Sequence, residues 1–131
     1  MASGKDSRTE RQRRGDAAEA LALAHLQAHG LTLVERNYRL ARGPHARAGE
    51  IDLIVRARDG TLVFVEVRAR ADARFGGAAA SVGASKRARL VLAARHYLAS
   101  RFRTPPPCRF DVVAVDGQAV AWLQAAFDAS G

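Results

Sequence analysis

The stretch from Gly49 to Arg68 reads GEIDLIVRARDGTLVFVEVR, and its reading decides the fold. Two runs rich in Val, Ile, Leu and Phe, residues 50–57 and 61–68, flank Arg58-Asp59-Gly60. Such runs predict β-strands, and the three residues between them form a hairpin loop with Gly60 in its left-handed position. Each strand carries an acid in its middle, Asp52 in the first and Glu66 in the second. Strand interiors with apolar residues on both sides are costly places for charge.

If Arg58-Asp59-Gly60 is the loop, Ala57 pairs with Thr61, and counting back along both strands sets Asp52 opposite Glu66. Facing residues of an antiparallel pair point the same way, with Cβ atoms about 4.5–5.5 Å apart. A register slip of one residue would turn the acids to opposite faces. Two carboxylates so placed can share a proton, which raises one pKa, or hold a divalent cation. Hard oxygen ligands with waters and substrate phosphates describe a Mg2+ or Mn2+ site, and such an ion activates water against a phosphate. Either acid alone reads as the salt-bridge partner of Arg56 or Arg68; the pair reads as a site. Glu50 shares the side of Asp52 at the strand start and reads as a rim group.

Working outward, residues 15–30 (GDAAEALALAHLQAHG) predict a first helix. Asp16 is its expected N-cap, Glu19 follows at capping-box spacing, and Gly30 is the stop. Glu19, Leu23 and Leu26 lie on one stripe, so Glu19 has both a capping and a cleft-facing reading. Residues 31–40 predict a strand and 41–49 a loop holding Arg42 and Arg47. Residues 69–85 are Gly- and Ala-rich and read as a mobile loop. Residues 86–102 predict the second helix, with Ser85 as N-cap and Lys86, Leu90, Ala93 and Tyr97 on one stripe. Thr104-Pro105-Pro106-Pro107 breaks the chain. Residues 109–115 and 119–123 predict two further strands, and Phe127 closes the core. Asp111, inside the first of these, is expected to pair with Arg109 or with a helix-facing partner. The order α, β, β, β, α, β, β predicts an α/β domain with a mixed sheet flanked by helices. Residues 1–14 read as a disordered basic arm and 15–131 as one domain.

Composition points to the same chemistry. The net charge of the 131 residues is +8, which suits a polyanionic partner such as nucleic acid. An Arg-rich genome gives the same bias, since 19 of the 21 cations are Arg. Lys86 stands out against that background. It begins a helix, where the macrodipole disfavours a cation. As a lysine it can exchange a proton, which Arg68 cannot; a stem lying past Leu90 is the structural alternative. Apolar runs are too short for a membrane span, and the start of the chain lacks a secretory segment. The single Cys108 forms no internal disulfide and reads as a small buried residue at a strand start. The cytoplasm is the expected compartment.

Glu19 on a first helix, then GEIDLI, then FVEVR-x-R, resembles the PD-(D/E)xK nuclease superfamily, whose fold is shared by restriction endonucleases and archaeal Holliday-junction resolvases. Gly15 with Glu19, Arg36-Asn37, GEIDLI, LVFVEVR-x-R, FGGAAASV, Lys86 and RFDVV together resemble, more closely, the YraN-type family of small uncharacterised bacterial proteins. The resemblance covers residues 15 to about 127. It implies a restriction-endonuclease-like αβββαβ core and a Mg2+- or Mn2+-dependent nuclease acting on DNA ahead of RNA. Asp52, Glu66 and the Val67 carbonyl would hold the metal, and Glu19 would face the same cleft. Arg68 occupies the superfamily's lysine position, and Lys86 is the residue that would take over from the following helix. Arg42, Arg47, Arg70, Arg74 and Arg87 would grip the nucleic-acid backbone. A domain that binds nucleic acid without cutting it, and a protein-interaction module, are the alternatives. A dimer would suit two-strand cutting, and nothing in the sequence demands one.

Overall fold

A computed structural model describes residues 7–40, 49–69 and 83–129. Their elements run α1 (Glu10–Ala28), β1 (Thr32–Leu40), β2 (Gly49–Arg56), β3 (Leu62–Ala69), α2 (Ala84–Arg101), β4 (Cys108–Asp116) and β5 (Ala119–Phe127). The five strands form one sheet in the order β1-β2-β3-β4-β5. Only β3 and β4 are parallel, and α2 makes the connection between them. A parallel neighbour needs such a crossover, whereas the hairpins need only tight turns. This is the mixed α/β sheet the element order predicts.

The sheet separates two cores. Ala18, Ala22 and Leu26 of α1 pack with Leu53, Val55, Val63, Val65, Val113 and Val115 on one face. Leu90, Ala93, Ala94 and Tyr97 of α2 pack with Ile54, Leu62, Phe64, Phe110 and Val112 on the other. Strands covered on both faces carry apolar residues at nearly every position, which is the pattern of Leu62–Val65. Phe127 stacks on Phe110 with ring centroids 5.0 Å apart, so it does close one end of the α2-side core.

The hairpin register is the one counted from the sequence. Ala57 N–H donates to the Thr61 carbonyl at 2.9 Å. Arg56, Val55, Ile54 and Leu53 then face Leu62, Val63, Phe64 and Val65. Gly60 turns the chain at φ +93°, and the Asp59 side chain accepts from Thr61 N–H.

Three expectations are corrected. First, α1 starts at Glu10, with Thr9 as N-cap. The Thr9 hydroxyl accepts from Gln12 N–H at 3.0 Å and the Gln12 side chain accepts from Thr9 N–H at 2.7 Å. Asp16 is therefore inside the helix, where Arg8 meets it, and residues 10–14 of the expected arm are helix. Second, α2 begins after Gly83, which caps it without a side-chain hydrogen bond, so Ser85 is not the cap. Third, Cys108 begins a strand as expected but is exposed. The expected mobile loop at 69–85 lies mostly outside the described residues, as do Arg42, Arg47, Arg70 and Arg74.

Candidate active site at the break in the hairpin

β2–β3 pairing stops at Leu53 and Val65. Ala57 and Thr61 are a hydrogen-bonded pair, and such pairs recur at every second position, so Val67 N–H is due to meet Ile51. Instead it donates to Asp52 Oδ2 at 2.8 Å. The Asp52 side chain has replaced a rung of the ladder and lies in the opening between the two strands. The N–H and C=O of one strand residue leave the same edge, so the Val67 carbonyl faces that opening too.

A reversal of strand faces delivers Asp52 to this place. Leu53 belongs to the α1-side core and Ile51 to the α2-side core, although residues two apart in a regular strand share a face. β1 reverses in step. Arg36 pairs with Leu53, and Tyr38, which pairs with Ile51, lies in the α2-side core. Between these two pairs sit Asn37 and Asp52, and Asn37 has φ +52°. Asparagine tolerates the left-handed conformation better than other non-glycine residues, and β-branched residues do not adopt it without strain. Asn37→Gly is therefore expected to leave thermal stability within about 0.5 kcal/mol of wild type, whereas Asn37→Val should cost about 1–2 kcal/mol. Equal unfolding curves for the two would contradict this role.

Glu66 points to the α2 side and is 3% exposed. Its Oε2 lies 3.4 Å from Lys86 Nζ and 3.7 Å from Arg68 Nη1. Its Oε1 is buried without a hydrogen-bond partner. Lys86 also meets Glu50 at 3.8 Å, at the exposed rim. What brings Lys86 here is the close seating of α2: a Cβ built on Gly49 would lie 2.6 Å from the Arg89 carbonyl oxygen, so only glycine lets the helix approach so near to the start of β2. Lys86 thus reaches back to the hairpin, at the head of the buried stripe Leu90, Ala93, Tyr97.

Glu19 comes from the opposite layer. It sits well inside α1, away from the real capping box, so its capping explanation falls. Its side chain is 15% exposed, with Oε1 4.0 Å from Arg36 Nη2. Burial and then the charge of Asp52 raise its pKa, against the pull of Arg36. Burial likewise raises Asp52, opposed first by the Val67 hydrogen bond. Burial, then the Asp52 charge, lifts Glu66 to about 8 in spite of Lys86. The Asp52 charge thus raises the pKa of acids from two other elements, Glu19 of α1 and Glu66 of β3. Arg87, expected to grip nucleic acid, instead lies over the Phe127 ring at 5.8 Å.

Asp111, like Glu66 a buried acid in a strand, lies outside this group. It pairs with Val65 of β3, a residue of the α1-side core. It takes the expected ion pair from Arg109 at 3.0 Å, with further hydrogen bonds from Trp122 Nε1 and Ala125 N–H, each at 2.9 Å. Asn37 is the contributor that sequence reasoning left without a role; it entered only as part of the Arg36-Asn37 motif, inside an otherwise strand-like run.

No group of three His, Cys, Asp or Glu side chains with metal-binding geometry occurs among the described residues. The donors on hand are the two carboxylates and the Val67 carbonyl. That set fits a hard cation that keeps several waters, and a buried carboxylate oxygen without a partner is the sort of group an ion or water completes.

Fold and site together define an α/β protein with clustered acids where a central hairpin comes apart. The chain belongs to the uncharacterised protein family UPF0102, whose model matches residues 18–115. It is 66% identical over 116 residues to a UPF0102 protein of Methylibium petroleiphilum, covering 88% of this chain and 94% of that one. It is 63% identical over 126 residues to one from Paracidovorax citrulli, covering 96% and 90%. A third, from Cupriavidus taiwanensis, is 60% identical over 119 residues, covering 91% and 86%. Among the described residues no helix is long and apolar enough to cross a membrane.

Proposed function

We propose that the protein is a Mg2+- or Mn2+-dependent phosphodiesterase acting on nucleic acid, DNA ahead of RNA. The observation that carries this reading is Asp52, held by Val67 N–H at 2.8 Å beside a Glu66 whose Oε1 is buried without a partner. Asp52, Glu66 and the Val67 carbonyl are the groups that would hold the ion. When bound, such an ion lowers the pKa of a water and offsets charge developing on a phosphate. Glu19 faces the cleft as an acceptor that orients water. Lys86 Nζ is placed to donate to a phosphate oxygen or to a departing alkoxide. Arg68 offers a guanidinium that can hold a phosphate. The net charge of +8 supports a polyanionic substrate, and the resemblance to PD-(D/E)xK nucleases supports the reaction class.

A second reading, binding without cleavage, is favoured by one feature: Arg68 stands where that superfamily places its lysine. The two separate in a cleavage screen with Mn2+ on single-stranded, flapped and branched substrates. Wild type is expected to cut at least one of them, and Asp52→Asn to lose about 100-fold or more of the rate, as when a transition-state electrostatic contact is removed. Cutting that persists in Asp52→Asn would sink the catalytic reading. Salt-sensitive binding with no cutting by wild type would favour the second one.

A further inference from the structure

Beside the acidic opening lies a second concavity of about 280 Å³, lined by Arg11, Arg14 and Gly15 of α1 and by Val67, Arg68 and Ala69 at the end of β3. Its three arginines come from two elements, and its floor shares Val67 and Arg68 with the acidic site. Arg8 and Arg13, their neighbours in sequence, are tied to Asp16 and Glu10. Among the described residues neither Arg11 nor Arg14 forms an ion pair with an acid. Arg68 is partly matched by Glu66 at 3.7 Å, so the positive charge of the concavity comes chiefly from Arg11 and Arg14.

Gly15 is the informative member. It lies within α1, where glycine is among the least favourable residues. Nothing among the described residues requires it there. Its φ is not in the left-handed region, and a Cβ built on it meets no atom within 4 Å. A glycine with open space beside it leaves the helix backbone open to close approach by another molecule. Arg11, Gly15 and Glu19 stand at successive i, i+4 positions, so they form one stripe along α1. Only one helical turn, about 6 Å, separates Gly15 from Glu19 at the edge of the acidic opening.

We propose that Arg11, Arg14, Gly15 and Arg68 form a phosphate subsite that holds the nucleic-acid backbone next to the reacting phosphate. Gly15 lets that backbone lie directly on α1, and the arginines grip its oxygens. The subsite rests on the nucleic-acid reading above and adds to it the path by which a strand enters: along the stripe from Arg11 to Glu19.

The test is binding of a labelled oligonucleotide, single-stranded and as its duplex, without divalent metal and across a range of salt. The wild-type chain, Gly15→Leu, the double variant Arg11→Gln/Arg14→Gln and a control, Arg95→Gln, which removes one charge elsewhere on the surface, are compared. Gly15→Leu should weaken binding on the order of tenfold while its melting temperature stays level or rises, because leucine favours helix. The double variant should reduce the slope of log K against log salt by about 1.4 on single strands and 1.8 on duplex, with the control leaving it unchanged. Undiminished binding by Gly15→Leu, or an equal loss of slope in Arg95→Gln, would overturn the subsite. If wild type binds and cuts while these variants match it, the subsite alone is wrong. If wild type shows no salt-sensitive binding, the nucleic-acid reading and the subsite fall together.

Discussion

Glu66→Gln is expected to make the metal-free protein more stable at pH 8 and no more stable at pH 4. Glu66 has its pKa raised to about 8 in the folded chain, by burial first and by the Asp52 charge second. The unfolded chain releases this proton near 4.5. Between the two values the folded state binds the extra proton, so stability falls as pH rises through that window and levels off above about 8. A glutamine keeps the shape, carries no charge to bury, and can donate to Asp52 as the protonated acid does. The gain at pH 8 should be on the order of 2–4 kcal/mol, the usual scale for relieving an unfavourably buried charge. Added Mn2+ should stabilise wild type at pH 8 and leave Glu66→Gln nearly unaffected. Urea unfolding at the two pH values reads all of this. Parallel stability profiles for wild type and Glu66→Gln would mean that Glu66 is simply satisfied by Lys86 and Arg68.

Asp111→Ala should do the reverse and destabilise at neutral pH, by about 3 kcal/mol or more. Asp111 is fully buried, and its two oxygens accept from Arg109, Trp122 Nε1 and Ala125 N–H. It also fixes the irregular stretch of β5, where Ala125 has φ +50° and the pairing with β4 shifts between Phe110 and Val112. Removing it strands the Trp122 and Ala125 donors and leaves Arg109 without its partner, and breaking a buried pair from one side is the costly way to break it. A loss below 1 kcal/mol in thermal or urea unfolding would show that water replaces the carboxylate. Metal binding should survive the substitution, because Asp111 faces the α1 side beside Val65 whereas Glu66 faces Lys86.

The contrast between these two acids marks how far the sequence can be read. Both sit inside apolar strands. The hairpin register from Arg56 to Leu53 followed from loop chemistry and period-two counting, because a three-residue loop leaves little freedom in register, but the pairing breaks off before Asp52 and Glu66. The mixed sheet followed from element order, and the Asp111–Arg109 pair from their spacing. The start of α1 did not follow. Its first turns are exposed and carry no apolar period, and its capping box uses Gln12 where the sequence offers a more familiar Glu19. That error hid the better case for Glu19, which lies within reach of the Asp52 charge and caps nothing. The reversal of faces at Asn37 and Asp52 was equally hidden. It breaks the alternation on which strand reading rests, and only paired strands show that both break together. Lys86 stood out by composition, but its 3.4 Å approach to Glu66 depends on how closely α2 seats over Gly49.

The central claim is that Asp52 and Glu66 form one cation site at the break in the hairpin, and a Mn2+ titration followed by electron paramagnetic resonance tests it most directly. Wild type should take up one Mn2+ per chain, more tightly as pH rises toward about 8, because the carboxyls must release their proton to bind. Asp52→Asn and Glu66→Gln should each weaken uptake by about tenfold or more while remaining folded. No uptake by wild type, or uptake unchanged in both variants, would contradict the account.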